Sequence, residues 1–353
     1  MVSRWAEVHR LAVAGREQEI AQVMGDRLSK AWLPISRFAD VAVISRATLT
    51  LGPDARALYF LGWALSSTGQ PRQALDCYDQ ALPIVREVGD RPLEASTLIG
   101  IGLAYDRLGD RQQALAHYHQ ALPIMREVDD RAGEAATLTN IGSVYDGLGD
   151  RQQALAYYHQ ALPIMREVGD RTGEAVTFNN VGLAYRGLGD RQQALAYYHQ
   201  ALPLLREVGN RAGEAATLNN IGIVYDGLGD RQQALAYYHQ ALPTLREVGN
   251  RAGEAATLNN IGHVYSGLGD RQQALAYYHE ALSTLREVGD RAGEAITRYN
   301  IAMIHRADGN LDDAIRELEL VVALDRQVQH PDLASDTAIL EQVRLERAQG
   351  PDS

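Results

Sequence analysis

At 353 residues and 46% apolar, the chain has the composition of a folded protein and length enough for two or three globular domains. Its formal net charge of -11 excludes the basic face that nucleic acid or an anionic membrane needs, and Arg alternates with acidic residues throughout, so no basic strip replaces it. The single cysteine, Cys77, rules out an internal disulfide, and no stretch reaches the ~20 apolar residues that span a bilayer. The N-terminus, MVSRWAEVHRLAVAGREQE, is too charged for a secretory signal, so a cytoplasmic location is expected.

From the N-terminus, residues 1–54 read as helical, and the segment from Arg37 to Leu51 has the pattern of the second helix of a degenerate repeat. Residues 55–329 hold seven tandem copies of a forty-residue unit. The copy from Asp130 reads DRAGEAATLTNIGSVYDGLGDRQQALAYYHQALPIMREVG, and those from Asp170, Asn210 and Asn250 differ from it at few positions. A fixed period of this length means stacked units, each burying its apolar face against its neighbours. The outer copies are atypical. Leu65 stands at a tyrosine position in the first, and His305 and Leu318 do so in the last, where Ala302 also replaces a glycine. Such degenerate ends suit the terminal units of a stack. Residues 330–353 follow, with a polar helix over about Leu333 to Ala348 to cover the open end of the core, and a frayed GPDS tail. Cys77 falls on a predicted helix among apolar neighbours and reads as a core residue.

Within the copy from Asp130, Asp130 caps a helix whose first turn is RAGE. Leu138, Ile141, Tyr145 and Leu148 recur at the three-and-four spacing of one helical face. Gly149 is a left-handed stop, and Asp150 caps again with Gln153 at capping-box spacing. The second helix presents Ala154, Leu155, Tyr158, Ala161, Leu162 and Met165 inward and ends at Gly169. Gly142, Ala154 and Ala161 let the axes approach toward the near end of the ~8–10 Å range, with Tyr145 and Tyr158 filling the remaining space. Pro163, repeated as Pro83, Pro123, Pro203 and Pro243, deletes a backbone bond inside the second helix, so a kink rather than a break is expected. The recurrent Asp and Glu residues read as caps and solvated faces.

Leu138-x2-Ile141-Gly142-x2-Tyr145, then Ala154-x3-Tyr158-x2-Ala161, resembles the tetratricopeptide repeat, with its W-x2-L-G-x2-Y, then A-x3-F, then proline. Leu stands for Trp, Tyr for Phe, and Arg166 occupies the place of the helix-terminating proline, while REVGDR lengthens the second helix. This longer form is similar to the repeats of kinesin light chains, Pins/LGN-type adaptors and bacterial signalling proteins. The resemblance covers about Ala55 to Leu324. It implies an all-α fold, a right-handed superhelix (α-solenoid) of antiparallel helix pairs that binds a protein or peptide segment in a concave groove.

Three constellations are candidates for function. Asn140, Asn180, Asn220, Asn260 and Asn300 recur at one position of the first helix, with Asn179, Asn219 and Asn259 beside them, opposite the apolar face. By the resemblance that face lines the groove. An amide both donates and accepts, which suits an extended peptide backbone; the same side chains could equally bond neighbouring first helices to one another. The second constellation is variable. Ser143, Leu183, Ile223 and His263 are four different residues at one position of the central copies, and Asp146, Arg186, Asp226 and Ser266 provide three at another. Variation on the groove face, beside an invariant DRQQ turn, points to tuned specificity, against plain drift. Gly147 and its equivalents either leave room for a ligand or ease the turn.

The third is a ladder of histidines, His119, His159, His199, His239 and His279. Zinc needs nitrogens within ~2.1 Å of one ion, whereas rungs of a stack lie about 10 Å apart, so these read as exposed histidines copied with the repeat rather than as a metal site. No catalytic grouping, phosphate loop or cofactor motif stands out, so no enzyme activity and no cofactor are expected. The expected role is a cytoplasmic adaptor or sensor for a protein or peptide. The alternatives are a self-associating scaffold, hence a possible homo-oligomer, or the sensor arm of a regulator whose effector is encoded separately.

Overall fold

The computed structural model describes residues 1–350, and the part of the expected frayed tail beyond Gly350 lies outside the described residues. In order the helices are α1 (Val2–Ala14), α2 (Gln18–Trp32), α3 (Phe38–Leu49), α4 (Ala55–Ser67), α5 (Pro71–Val88), α6 (Arg91–Arg107), α7 (Arg111–Glu127), α8 (Arg131–Gly147) and α9 (Arg151–Val168). They continue as α10 (Arg171–Gly187), α11 (Arg191–Glu207), α12 (Arg211–Gly227), α13 (Arg231–Glu247), α14 (Arg251–Leu268), α15 (Arg271–Val288), α16 (Arg291–Ala307), α17 (Leu311–Val328) and α18 (Leu333–Gln349). A 3-10 turn, Leu33–Ile35, follows α2, and no strand occurs among the described residues. The all-α expectation holds. By contacts the chain divides within α10 into two compact units, Met1–Ala184 and Tyr185–Ser353.

The turns between helices follow from the repeated caps. Asp130 Oδ1 accepts the Gly133 N–H at 2.8 Å, and Asp150 Oδ1 that of Gln153 at 3.1 Å. Asn210 and Asn250 replace aspartate and accept the Gly213 and Gly253 N–H groups at 2.9 Å. Gly149 and Gly169 adopt φ of +86° and +72°, the left-handed conformation that lets the chain reverse after each helix. The prolines break nothing. Pro163 lies inside the continuous α9, as do Pro203 in α11 and Pro243 in α13, all on the exposed side.

In the first unit, α2 and α3 pack onto α4. Leu28, Trp32, Val41 and Ile44 share a core with Phe60 and Ala64 of α4. Further on, a single core joins α7, α8 and α9 through Tyr118, Leu138, Ile141, Ala161 and Met165. A glycine sits opposite each large ring. A Cβ on Gly142 would lie 2.5 Å from Tyr158 Cε1, and one on Gly102 2.6 Å from Tyr118, so the ring lies directly on the backbone of the first helix. Cys77 is buried in this unit, as its neighbours require, and burial pushes its thiol up.

The second unit repeats the scheme. Tyr238, Leu258, Ile261 and Ala281 share a core, and a Cβ on Gly222 would lie 2.5 Å from Tyr238 Cε1. In the last pair both partners change: Ala302 replaces the glycine and Leu318 the tyrosine, both fully buried. Leu340 and Val343 of α18 join that cluster, so the polar C-terminal helix covers the apolar face of α17.

Two readings of the repeat need correction. The glutamate of each RAGE turn is not solvated. Glu134, Glu174, Glu214 and Glu254 are buried, and each is held by two arginines, one eight residues before it and one three before it. Arg206 Nε donates to Glu214 Oε1 at 2.7 Å and Arg211 Nη1 to Oε2 at 2.5 Å. Arg211 also reaches Glu247 at 3.1 Å. The carboxylate lies in the first helical turn, where the helix dipole favours it, and the two guanidiniums offset its loss of water. Arg166, at the family's proline position, binds Glu174 at 2.6 Å in this way, which gives the lengthened second helix a purpose. Tyr145 is the second correction. It is half-buried rather than a core filler and lies flat on Tyr157, with centroids 5.5 Å apart at 9°.

Candidate functional site

The face of the first helices that is turned away from the second helices carries the sequence-selected residues. In α12 it runs through Asn219, Asn220, Ile223 and Asp226, all half-buried. In α14 Asn259, Asn260 and Ser266 are half-buried and His263 is exposed; in α16 Asn300 is half-buried. In the first unit the same face holds Asn140, Asp146, Asn179, Asn180 and Leu183, half-buried, and Ser143, exposed. Arg186, at the start of the second unit, is half-buried.

The amides bond along the stack. Asn219 Oδ1 accepts from the Thr257 hydroxyl at 3.1 Å and from Asn260 Nδ2 at 3.3 Å. Asn259 Oδ1 accepts from Asn300 Nδ2 at 3.4 Å. In the first unit threonines take over: the Thr139 and Thr177 hydroxyls lie 3.2 Å apart at the corresponding place. These bonds tie α12 to α14, α14 to α16 and, in the first unit, α8 to α10.

The variable positions also have neighbours. Arg186 Nη1 donates to Asn220 Oδ1 at 3.4 Å, and His263 Nε2 lies 3.8 Å from Asp226 Oδ2. Ser143 bonds the hydroxyl of Tyr158. Burial first, then Asp226, pushes the Tyr238 hydroxyl far above its ordinary range, while Arg186 opposes this. The space beside the repeated glycine at the helix end is occupied rather than open. A Cβ on Gly227 would lie 3.0 Å from Arg191 Nε, one on Gly267 2.8 Å from Arg231 Nη2, and one on Gly147 2.6 Å from Arg111 Nε. Each glycine lets an arginine from the preceding second helix cross the end of the first helix.

Sequence reasoning missed the stacked tyrosines. Tyr225 and Tyr237 lie 5.5 Å apart at 8°, and Tyr265 and Tyr277 5.5 Å apart at 6°. Both members of each pair are half-buried. The signal was the YY doublet of the second helix: its second member enters the core, so its first must point elsewhere. The ladder histidines are exposed, and His199 and His239 lie with their rings tilted against Tyr237 and Tyr277, centroids 6.2 and 6.1 Å apart. Among the described residues no three His, Cys, Asp or Glu side chains converge as ligands for one metal ion, and no helix is long and apolar enough to cross a membrane.

Helix pairs with glycine beneath a tyrosine ring, repeated every forty residues, define a helical repeat protein. The tetratricopeptide-repeat profile matches residues 53–127, 93–167, 168–247 and 253–327, and the chain belongs to this family. No curated protein matches it in sequence. Among solved structures it is similar to a signal transduction ATPase with a tetratricopeptide repeat sensor from Pyrococcus horikoshii. The TM-score there is 0.74 at 15% identity over 92% of this chain, and the match spans only 50% of that chain. It is also similar to BtubC from P. vanneervenii, at TM-score 0.56 and 22% identity over 62% of this chain and 92% of that one. A Rap protein complexed with Competence and Sporulation Factor matches at TM-score 0.60 and 15% identity over 93% of this chain and 99% of that one. At such identities the likeness is one of fold.

Proposed function

We propose that the chain is a protein- or peptide-binding adaptor or sensor, and that the amide-lined face of its first helices holds an extended partner segment. The observation that carries this reading is the run of asparagines on three successive first helices of the second unit, α12, α14 and α16, half-buried on a face the core does not use. An amide can make up to about four hydrogen bonds, and the bonds along the stack use only part of that capacity. A partner's backbone N–H and C=O would complete them, while Ile223 and His263, which differ between repeats, read its side chains. A Rap protein of similar fold is solved in complex with Competence and Sporulation Factor, which supports the reading. As an adaptor the chain needs neither catalytic residues nor a cofactor.

The test selects peptides from a random display library against the full chain and measures their affinity by calorimetry. Changing Asn220, Asn260 and Asn300 together to Ala removes about 0.5–1.5 kcal/mol per bond, so binding weakens about 10- to 2,000-fold. Exchanging Ile223 and His263 changes which peptide is preferred. A folded triple variant that binds with unchanged affinity would leave the amides a purely structural role. Light scattering during size-exclusion chromatography separates this reading from a self-associating scaffold, which would elute as a concentration-dependent assembly.

A further inference from the structure

The repeat register exposes one anomaly in the core. At the position where the central repeats bury Met165, Leu205, Leu245 and Leu285, the last repeat places Asp325. It is as buried as they are, with 1% of its surface exposed. Its Oδ2 receives no hydrogen bond from any described N–H or hydroxyl donor. A carboxylate exchanged for leucine inside a core costs stability unless something compensates it, so an unpartnered one needs an explanation.

Asp325 lines a cavity of about 370 Å³ between α16, α17 and α18, a volume within the usual range for small-molecule pockets. Asp332, Ser335 and Asp336 also line it. Ile296 and Tyr299 of α16 supply its apolar lining. No Lys or Arg lines it. His330 is the one basic side chain there. Its Nδ1 already accepts the Asp332 N–H at 3.3 Å, and it stands 4.0 Å from Asp325 Oδ1 and 3.7 Å from Asp332 Oδ2. We infer that this cavity binds an organic cation, an alkylguanidinium or alkylammonium group, whose charged head meets Asp325 and Asp336 and whose stem lies on Ile296 and Tyr299. An arginine or lysine side chain of a partner and a free amine share this chemistry. Among the described residues no three such side chains form a metal-ligating group, whereas a planar guanidinium can pair with two neighbouring carboxylates at once.

The electrostatics agree. Burial first, then the contact with Asp325, pushes Asp336 up to about 6, so below that pH Asp336 holds a proton. The groups facing Asp336 are Asp325 from α17, His330 and Asp332 from the connecting turn, and Tyr299 from α16. An arriving cation takes the place of that proton: Asp336 releases H⁺ to the buffer and its carboxylate pairs with the ligand. Binding below about pH 6 is therefore accompanied by uptake of a cation and release of a proton, and its affinity falls as the pH is lowered through that value.

Titration calorimetry of the full chain with agmatine tests this. The expected result is saturable binding that weakens toward tenfold per pH unit below about 6, with a heat that depends on the buffer's ionisation enthalpy. Asp325→Leu restores the residue of Leu285 and is expected to fold, with agmatine binding at least tenfold weaker. Asp336→Asn should abolish the proton release. An arginine-containing peptide that binds more tightly than agmatine, while its citrulline counterpart does not bind, would identify the source as a partner side chain; the reverse order would identify a free amine. The inference is overturned if agmatine and the arginine peptide both fail to bind, if Asp325→Leu binds as the wild type does, or if Mg²⁺ alone saturates the site.

Discussion

The ring-on-glycine contact can be tested by exchanging both of its partners. A Cβ on Gly222 would lie 2.5 Å from Tyr238 Cε1 and 2.7 Å from Cδ1, roughly 1 Å inside the 3.5–4.0 Å at which carbon atoms pack. Tyr238 is 1% exposed and has no space to swing into. Gly222→Ala therefore incurs an overpacking cost of about 1–3 kcal/mol, against up to about 1 kcal/mol of gained helix propensity, a net loss of about 1–2 kcal/mol. Tyr238→Leu leaves a void where the ring was and costs about 2–3 kcal/mol. The double variant recreates the pair that the last repeat already uses, Ala302 with Leu318, and should cost less than the sum of the singles by about 1–2 kcal/mol. Urea denaturation followed by far-UV circular dichroism gives the global values. Because repeat arrays can unfold in parts, hydrogen exchange of the α12 and α13 amides gives the local ones. Additivity within about 0.5 kcal/mol would refute the claim that ring and glycine are one steric unit.

Other outcomes follow from neighbouring contacts. Gly227→Ala, in the same helix, meets only the flexible Arg191 side chain at 3.0 Å and should be neutral or stabilising by up to about 1 kcal/mol in the same denaturation assay. Glu214→Gln leaves Arg206 and Arg211 sharing one neutral acceptor and should lose about 1–3 kcal/mol. Glu247→Gln, at the exposed end of the same network, should lose less than about 0.5 kcal/mol. Stability should also fall in acid. Burial pushes Glu94 and Glu294 up, but the arginines bonded to each outweigh it and hold both carboxyls below the usual range. A lowered folded-state value stabilises above the unfolded value of about 4.3 and is lost as pH falls through the folded one, so the urea midpoint should drop below about pH 4. A midpoint flat down to pH ~3 would contradict this.

Caps, stops and the glycine–tyrosine spacing were legible because each repeats at one register and acts over one helical turn. Asp130, Gly149 and Gly142 do what their positions imply. The buried glutamates were hidden because their partners lie across a turn. Arg206 and Glu214 are eight residues apart on two different helices, so no single-helix periodicity connects them. Tyr145 was misplaced for a related reason: it stands at the margin of the apolar stripe, where a stacking partner on the second helix decides its orientation. Gly147 looked open because a missing side chain does not reveal that Arg111 crosses it. The asparagines fitted two readings, and their bonds along the stack satisfy one of them without exhausting the amides. Ile223 and His263 were legible as candidates because they differ between otherwise near-identical copies, whereas nothing in the repeat specifies the chemistry of the partner proposed for that face.

The arginine–glutamate clamp also bears on how an array like this changes length. Every junction in the central copies is closed by the same three side chains in the same order. If residues 211–250 were excised, Arg206 would face Glu254 across a turn of the same length as the one that now leads to Glu214, and Arg251 would take the place of Arg211. The seam left by such a deletion is chemically identical to the seams now at Asn210 and Asn250, and carries the same arginine–glutamate clamp as the others. Unequal exchange between near-identical gene segments therefore yields a foldable product at once, without compensating substitutions. Repeat number becomes a trait that can drift or be selected independently of the core, while the few residues that differ between copies keep each addition distinct.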